Sequence, residues 1–282
     1  VNAPDNEIDS SPEFASLNPE LQDAVRARKP GDALSMEQAS EAYNFKTMSD
    51  RRTVLTRQII RECMRAKAKG ETVRVMDVGC GRGMERDENY VAAIKRWADE
   101  MWGVEPDESV TPPASIFDHV QHTLLEDADL PENHFDVAFS YMVMEHVADP
   151  ERFYTALART LKPGGVYIFL TPNKAHYFSI CTRILMALRL EEIVLRILRG
   201  KVSEEYHYPV VYKCNDRKQI ERYALRSGFS RVDIACFEIT GPRPYLKGPL
   251  RPILWAMEWK RRNFRKRHLL LNLMARLSKA ES

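Results

Sequence analysis

The spacing of apolar residues along this 282-residue chain switches between helical and strand-like, and each switch marks an element. Residues 1–32 are rich in Pro, Asp, Glu, Ser and Asn; they read as mostly irregular, with one short helix over 19–28. Ser35 can cap a helix running to about Phe45. Ser49 or Asp50 can cap the next, in which Val54, Leu55, Ile59, Ile60 and Met64 recur every three to four residues until Gly70. Short apolar runs at 73–78, 101–105, 135–140 and 166–170 read as buried strands, and 119–123 as a poor third strand. One-sided helices are expected between them. One covers 89–100 with Val91, Ile94 and Trp97 on one face; another runs from an Asp149 cap through Leu161 with Phe153 and Leu157 buried. Thr111, Pro112 and Pro113 leave room only for a short helix within 107–117. This alternation implies an α/β fold with a mostly parallel sheet.

The second half is less regular. Residues 174–200 are amphipathic and helical in period, with Ile180, Ile184, Leu185 and Leu188 interrupted by Arg183, Arg189, Arg196 and Arg199. A capped helix over 215–227 and a sixth strand from 228 to 239 follow. Pro242, Pro244, Pro249 and Pro252 exclude helix before about Ile253. Residues 269–275 read either as a continuation of the next helix or as a strand.

The chemistry concentrates where the first strand stops. Gly79, Gly81 and Gly83 alternate, and residues without a Cβ let a ligand lie against the backbone. Asp77 stands two residues before them, at the strand end where open α/β sheets bind ligands. The dinucleotide pattern needs its third glycine where this chain has Met84, and Glu85 is poor company for a pyrophosphate. A cofactor without phosphate fits better. Glu105, ending the next strand, can accept two hydrogen bonds from the vicinal hydroxyls of a ribose.

Four motifs, in this order, carry a resemblance: Val75-Met-Asp-Val-Gly-Cys-Gly-Arg-Gly83, Gly103-Val-Glu-Pro106, Phe135-Asp-Val-Ala-Phe-Ser140 and Leu161-Lys-Pro-Gly-Gly165. Over about residues 50–240 the chain resembles the class I S-adenosylmethionine-dependent methyltransferases. The resemblance implies a Rossmann-like sheet of seven strands, the seventh antiparallel, which favours the strand reading of 269–275. It implies N-terminal helices over the site, with Tyr43 and Phe45 as lid candidates, and two insertions, 174–212 and 241–264, forming an acceptor cap on a domain spanning 49–282. It implies S-adenosyl-L-methionine as cofactor, held by Asp77, Gly79, Cys80, Gly81, Gly83, Glu105 and Pro106. Glu126 and Asp127 compete for the adenine, beside Ala128, and Ser140, Tyr141 and Met142 line the methionine side.

Charge refines this picture. The net value is +2, but residues 1–50 hold ten carboxylates against four Lys/Arg, and residues 241–282 hold eleven Lys/Arg against two Glu. The acidic start, 1–48, reads as an arm with lid helices. In the basic end, Trp255, Trp259 and Phe264 stand beside six Lys/Arg, which reads as an interfacial segment for anionic lipid or as a solvated helix. Five widely spaced cysteines without C-x-x-C argue against a disulfide scaffold and structural zinc, so a reducing, cytoplasmic setting is expected. No secretory signal and no 18-residue apolar stretch is read.

Methyl transfer from a sulfonium is an in-line displacement, and the main requirement is to hold the acceptor at roughly 3–3.5 Å in line. A hydroxyl acceptor also needs a base. His146, just past the fourth strand, is the first candidate, or else a helix-start histidine bound to backbone; His207, beside Tyr208, is the second. Glu145-His146 is similar to the E-x-x-E-H of quinone-biosynthesis O-methyltransferases, which is associated with a divalent ion; Met142 replaces the first Glu, so no metal is expected. The place after strand four lacks the Pro-Pro-aromatic of base-amino methyltransferases, and no nucleic-acid substrate is expected. The reading is O-methylation of a hydrophobic or amphiphilic small molecule, lipid-linked intermediate or glycan; the alternatives are a non-catalytic cofactor-binding module and a membrane-surface scaffold.

Overall fold

A computed structural model describes residues 50–70, 72–176, 179–180, 209–237 and 270–281, with Pro252, Ala256 and Trp259. In chain order the elements are α1 (Arg51–Ala68), β1 (Arg74–Val78), α2 (Asn89–Lys95), β2 (Glu100–Val104), β3 (His119–Gln121), a 3-10 turn (Leu125–Asp127), β4 (Phe135–Tyr141), α3 (Pro150–Thr160), β5 (Leu161–Pro172), α4 (Arg217–Arg226), β6 (Phe229–Phe237) and β7 (Asn272–Lys279). The seven strands form one sheet in the order β3-β2-β1-β4-β5-β7-β6. β1 pairs in parallel with β2 and β4, and β7 runs antiparallel between β5 and β6. The order reverses at β1, so a crevice for a ligand is expected outside the carboxyl ends of β1, β2 and β4.

Both faces of the sheet are covered. Along β5, Tyr167 and Phe169 join the cluster containing Tyr154 and Leu157 of α3. Val166, Ile168 and Leu170 join the opposite cluster, with Leu55 and Ile59 of α1. Period-two alternation thus feeds two cores, and each side chain of this size stabilises the fold by roughly 1.5–3 kcal/mol on full burial. A buried ion pair ties α1 to β7: Arg276 Nε and Nη2 donate to Glu62 Oε1 and Oε2 at 3.0 and 3.1 Å.

Asp50 and Asp149 cap α1 and α3 as their sequence positions suggest, accepting from the amides of Arg52 at 2.9 Å and Arg152 at 3.2 Å. Asp216 caps α4, accepting from Gln219 N at 2.9 Å, while the Asn215 amide nitrogen donates to Thr171 Oγ1 at 2.5 Å. Helix α2 stops at Lys95, short of the expected 100. Asp99 is already engaged at the sheet, its amide on Val73 O at 2.9 Å and its carboxylate accepting from Val73 N at 2.8 Å. Residues 107–117 form turns and no helix. β5 begins five residues before the expected 166 and takes in Gly164 and Gly165, where an added Cβ on Gly165 would lie 2.8 Å from Lys162 O. β7 begins three residues later than expected, at Asn272. Most of the two expected insertions, 174–212 and 241–264, lies outside the described residues, as do Tyr43 and Phe45.

Candidate functional site

β1 is buried, and it ends where its chain must turn between β2 and β4. The amides of Gly79 and Cys80 donate to Val104 O at 2.7 and 3.2 Å, fastening the bend to the end of β2. Glu105 follows directly and is buried. Its Oε2 accepts from Gly81 N at 2.9 Å and its Oε1 from Asp107 N at 3.0 Å. The carboxylate therefore faces the glycine bend, as a ribose-binding role requires.

The three glycines serve different ends. A Cβ on Gly79 would sit 2.5 Å from Val143 Cγ2, and one on Gly83 would sit 2.6 Å from Asp87 O. Those two positions exclude a side chain because the protein itself occupies the space. A Cβ on Gly81 would meet only Glu105 Oε2, at 3.9 Å. Gly81 is the point where the bend is open, which narrows the expectation that all three admit a ligand.

The remaining expected residues divide similarly. Asp77 is buried, and burial pushes its carboxyl well above the usual range, with the Glu105 charge adding to the effect. Cys80 is packed under β2, where its Sγ would lie 2.8 Å from a Cβ on Gly103, so only its backbone borders the bend. Pro106 is half-buried beside Glu105. Of the two adenine candidates, Asp127 is exposed and taken by Arg152 Nη2 at 2.6 Å. Glu126 is half-buried, and Ala128 is buried at the end of the 3-10 turn. Ser140 is fully buried with its hydroxyl 2.6 Å from that of Tyr167, so its side chain faces the core rather than the crevice.

At the end of β4, Tyr141 and Met142 are partly buried, packed against the core on the α1 face, and Met142 adopts φ +56°. The Tyr141 hydroxyl accepts from Arg51 Nε at 2.7 Å and donates to Glu85 Oε1 at 2.5 Å. Arg51 also pairs with Glu85 directly. Burial raises the Tyr141 phenol pKa, and Arg51 offsets this only partly, so the hydroxyl keeps its proton. Glu85 and Arg86 have φ +55° and +64°, a region that costs an L residue roughly 1–2 kcal/mol. Arg51 and Glu85 were not signalled as a pair by the sequence, being 34 positions apart.

Past β4, the chain 143–148 is laced to 209–215. Val211 and Tyr212 amides donate to Glu145 O at 2.8 and 3.2 Å, and Lys213 Nζ donates to Ala148 O at 2.7 Å. The Glu145 side chain turns inward, accepting from Thr171 Oγ1 at 2.8 Å, and burial raises its pKa. His146 Nδ1 lies 3.3 Å from Pro209 O. A carbonyl only accepts, so in this contact Nδ1 is the donor. His207 and Tyr208 lie outside the described residues. Among the described residues no cluster of three or more His, Cys, Asp or Glu is placed to hold a metal ion, and Cys63, Cys80, Cys214 and Cys236 are free thiols.

An open Gly81, a carboxylate aimed at it and a buried acid below suit a nucleoside cofactor without phosphate. A family described as "Methyltransferase domain" matches residues 35–233. The chain belongs to this family. Its sheet order and bend are those of a class I S-adenosylmethionine-dependent methyltransferase, and S-adenosylmethionine is its cofactor. The chain is 33% identical over 115 residues to a ubiquinone biosynthesis O-methyltransferase of Maricaulis maris, covering 37% of this chain and 42% of the relative. It is 32% identical over 114 residues to the protein of the same name from Vibrio atlanticus, covering 38% and 48%. The chain spans less than half the length of these curated relatives. Among solved structures, the methyltransferase in complex with the Trm112 activator of Haloferax volcanii superposes with a TM-score of 0.52 at 14% identity, covering 88% of this chain and 96% of that one. At that identity the likeness is one of fold.

Proposed function

We propose that this methyltransferase transfers a methyl group to a hydroxyl of a hydrophobic or amphiphilic small molecule, with lipid-linked intermediates and glycans within that class. The observation that supports the reading is the place of His146 just past the carboxyl end of β4, where Nδ1 lies against Pro209 O and anchors the ring. S-adenosylmethionine, when bound, supplies an electrophilic methyl on a sulfonium. Glu105 would hold the ribose hydroxyls, Gly81 would admit the nucleoside, and Glu126 would face the adenine. Tyr141 and Met142 would border the methionine arm. His146 would take the proton from the acceptor hydroxyl, and His207 is a second candidate for acceptor contact. The names of the ubiquinone biosynthesis relatives support oxygen as the methylated atom.

Trp259 is exposed in the basic stretch near the C-terminal end, which supports a peripheral contact with anionic lipid. The acceptor reading is tested by a donor-turnover screen over phenols, quinols, lipids and sugars, with the methylated atom assigned by mass spectrometry. Turnover confined to nitrogen or carbon acceptors overturns it. Flotation with anionic vesicles at two salt concentrations tests the membrane contact; no co-flotation even at low salt removes it.

A further inference from the structure

We propose that Arg51 and the Tyr141 hydroxyl form a carboxylate site which the protein fills with its own Glu85, so that the α-carboxylate of the donor must displace Glu85 to bind. The proposal rests on S-adenosylmethionine being the donor. Three separate segments build the site: the first residue of α1, the last residue of β4 and the loop after the glycine bend. Arg51 Nε lies 3.2 Å from Glu85 Oε1 and 2.7 Å from the Tyr141 oxygen, and Tyr141 donates to the same Glu85 oxygen at 2.5 Å. Arg51 Nη2 completes a charged pair with that carboxylate. Arg52 Nε is 3.9 Å from Glu85 Oε2, but its guanidinium is committed to Asp50 at 2.7 Å. Two converging donors, one of them charged, form a receptor for one carboxylate oxygen.

Position says which carboxylate would compete. Glu105 ends β2 and Tyr141 ends β4, with β1 between them. Neighbouring strands are about 4.8 Å apart, so the two strand ends are separated by about 10 Å, a span the amino-acid arm of a nucleoside can cross. The contact is also built to open. Both partners are partly exposed, the Arg51 side chain by 32% and that of Glu85 by 44%, so water can replace either. Glu85 and Arg86 sit consecutively at positive φ, a conformation local sterics oppose, so the loop gains backbone freedom when the pair separates. Glu85 is thus an internal competitor that sets donor affinity.

The test is calorimetric titration of the full chain, wild type and Glu85→Gln, with two ligands. One is S-adenosylhomocysteine, which carries the carboxylate; the other is decarboxylated S-adenosylmethionine, which lacks it. Glu85→Gln is expected to bind S-adenosylhomocysteine about two- to five-fold more tightly, the scale of one partly exposed ion pair. Its affinity for the decarboxylated compound is expected to be unchanged. Glu85→Gly, which suits the positive φ and retains no hydrogen-bonding side chain, should behave the same way. Unchanged or weaker S-adenosylhomocysteine binding in these variants overturns the proposal, as does equal tightening for both ligands. In each of those cases wild-type binding leaves the donor assignment standing. A folded wild-type chain that binds neither ligand removes the donor assignment and the proposal together.

Discussion

Replacing Gly81 and Gly83 by alanine, one at a time, separates folding from binding at the bend. At Gly81 the added Cβ meets only Glu105 Oε2 at 3.9 Å, so there is no clash, and the cost is that of alanine at φ +49°. That is roughly 1–2 kcal/mol, offset by up to about 1 kcal/mol because alanine is the less flexible residue when unfolded. The net loss of stability should be about 1 kcal/mol. At Gly83 the Cβ lies 2.6 Å from Asp87 O and 2.8 Å from Glu88 Cα, at φ +91°. These are backbone atoms, so the loop must move. Overpacking of about 1–3 kcal/mol adds to the conformational cost, for a total of about 2–5 kcal/mol. Urea denaturation measures the stabilities, and calorimetry with S-adenosylhomocysteine measures binding. Gly81→Ala should remain folded and lose more than about tenfold in affinity, since its methyl stands in the open part of the bend. If Gly81→Ala binds like wild type, or if Gly83→Ala is no less stable than Gly81→Ala, the division between the glycines is wrong.

Three further outcomes are expected. Glu105→Gln replaces a carboxylate with an amide that accepts on one side only; hydrogen bonds to charged groups contribute about 1.5–3 kcal/mol, so S-adenosylhomocysteine affinity should fall about tenfold or more. Glu62→Gln should cost about 3–5 kcal/mol near neutral pH, read by urea denaturation, because it leaves Arg276 buried without its pair. Burial pushes the Glu62 pKa up, but Arg276 and Arg65 outweigh it, so the folded value lies below the ordinary 4.5. The unfolded chain then takes the proton first: wild type should lose this stabilisation as pH falls below about 4.5, and Glu62→Gln should lack that acid limb in thermal unfolding. With an acceptor found by the turnover screen, His146→Asn should lower turnover about 10²–10⁴-fold while leaving S-adenosylhomocysteine affinity intact, by steady-state kinetics and calorimetry.

Much of the frame is legible in the residues. The caps at Asp50 and Asp149 follow from short acceptors placed before one-sided helices, and Glu105 from a strand period that ends in a charge. The resemblance that the motifs carry also implies the antiparallel β7. What escapes is whatever depends on the partner across space. The contact with Val143 that a side chain at Gly79 would meet, and the ion pair that engages Asp127 with Arg152, both come from residues distant in sequence. Ser140 looks like a crevice residue until Tyr167 claims its hydroxyl. Arg51 and Glu85 carry no local pattern, because their meeting is made by the fold.

The account turns on the crevice between Gly81 and Glu105 accepting a sulfonium nucleoside, and titration of the wild-type chain with S-adenosylhomocysteine tests it most directly. Saturable one-to-one binding, competed by S-adenosylmethionine and weakened in Glu105→Gln, is the predicted result. A folded chain that releases no binding heat at any temperature tried, and whose amide exchange neither nucleoside slows, would contradict it.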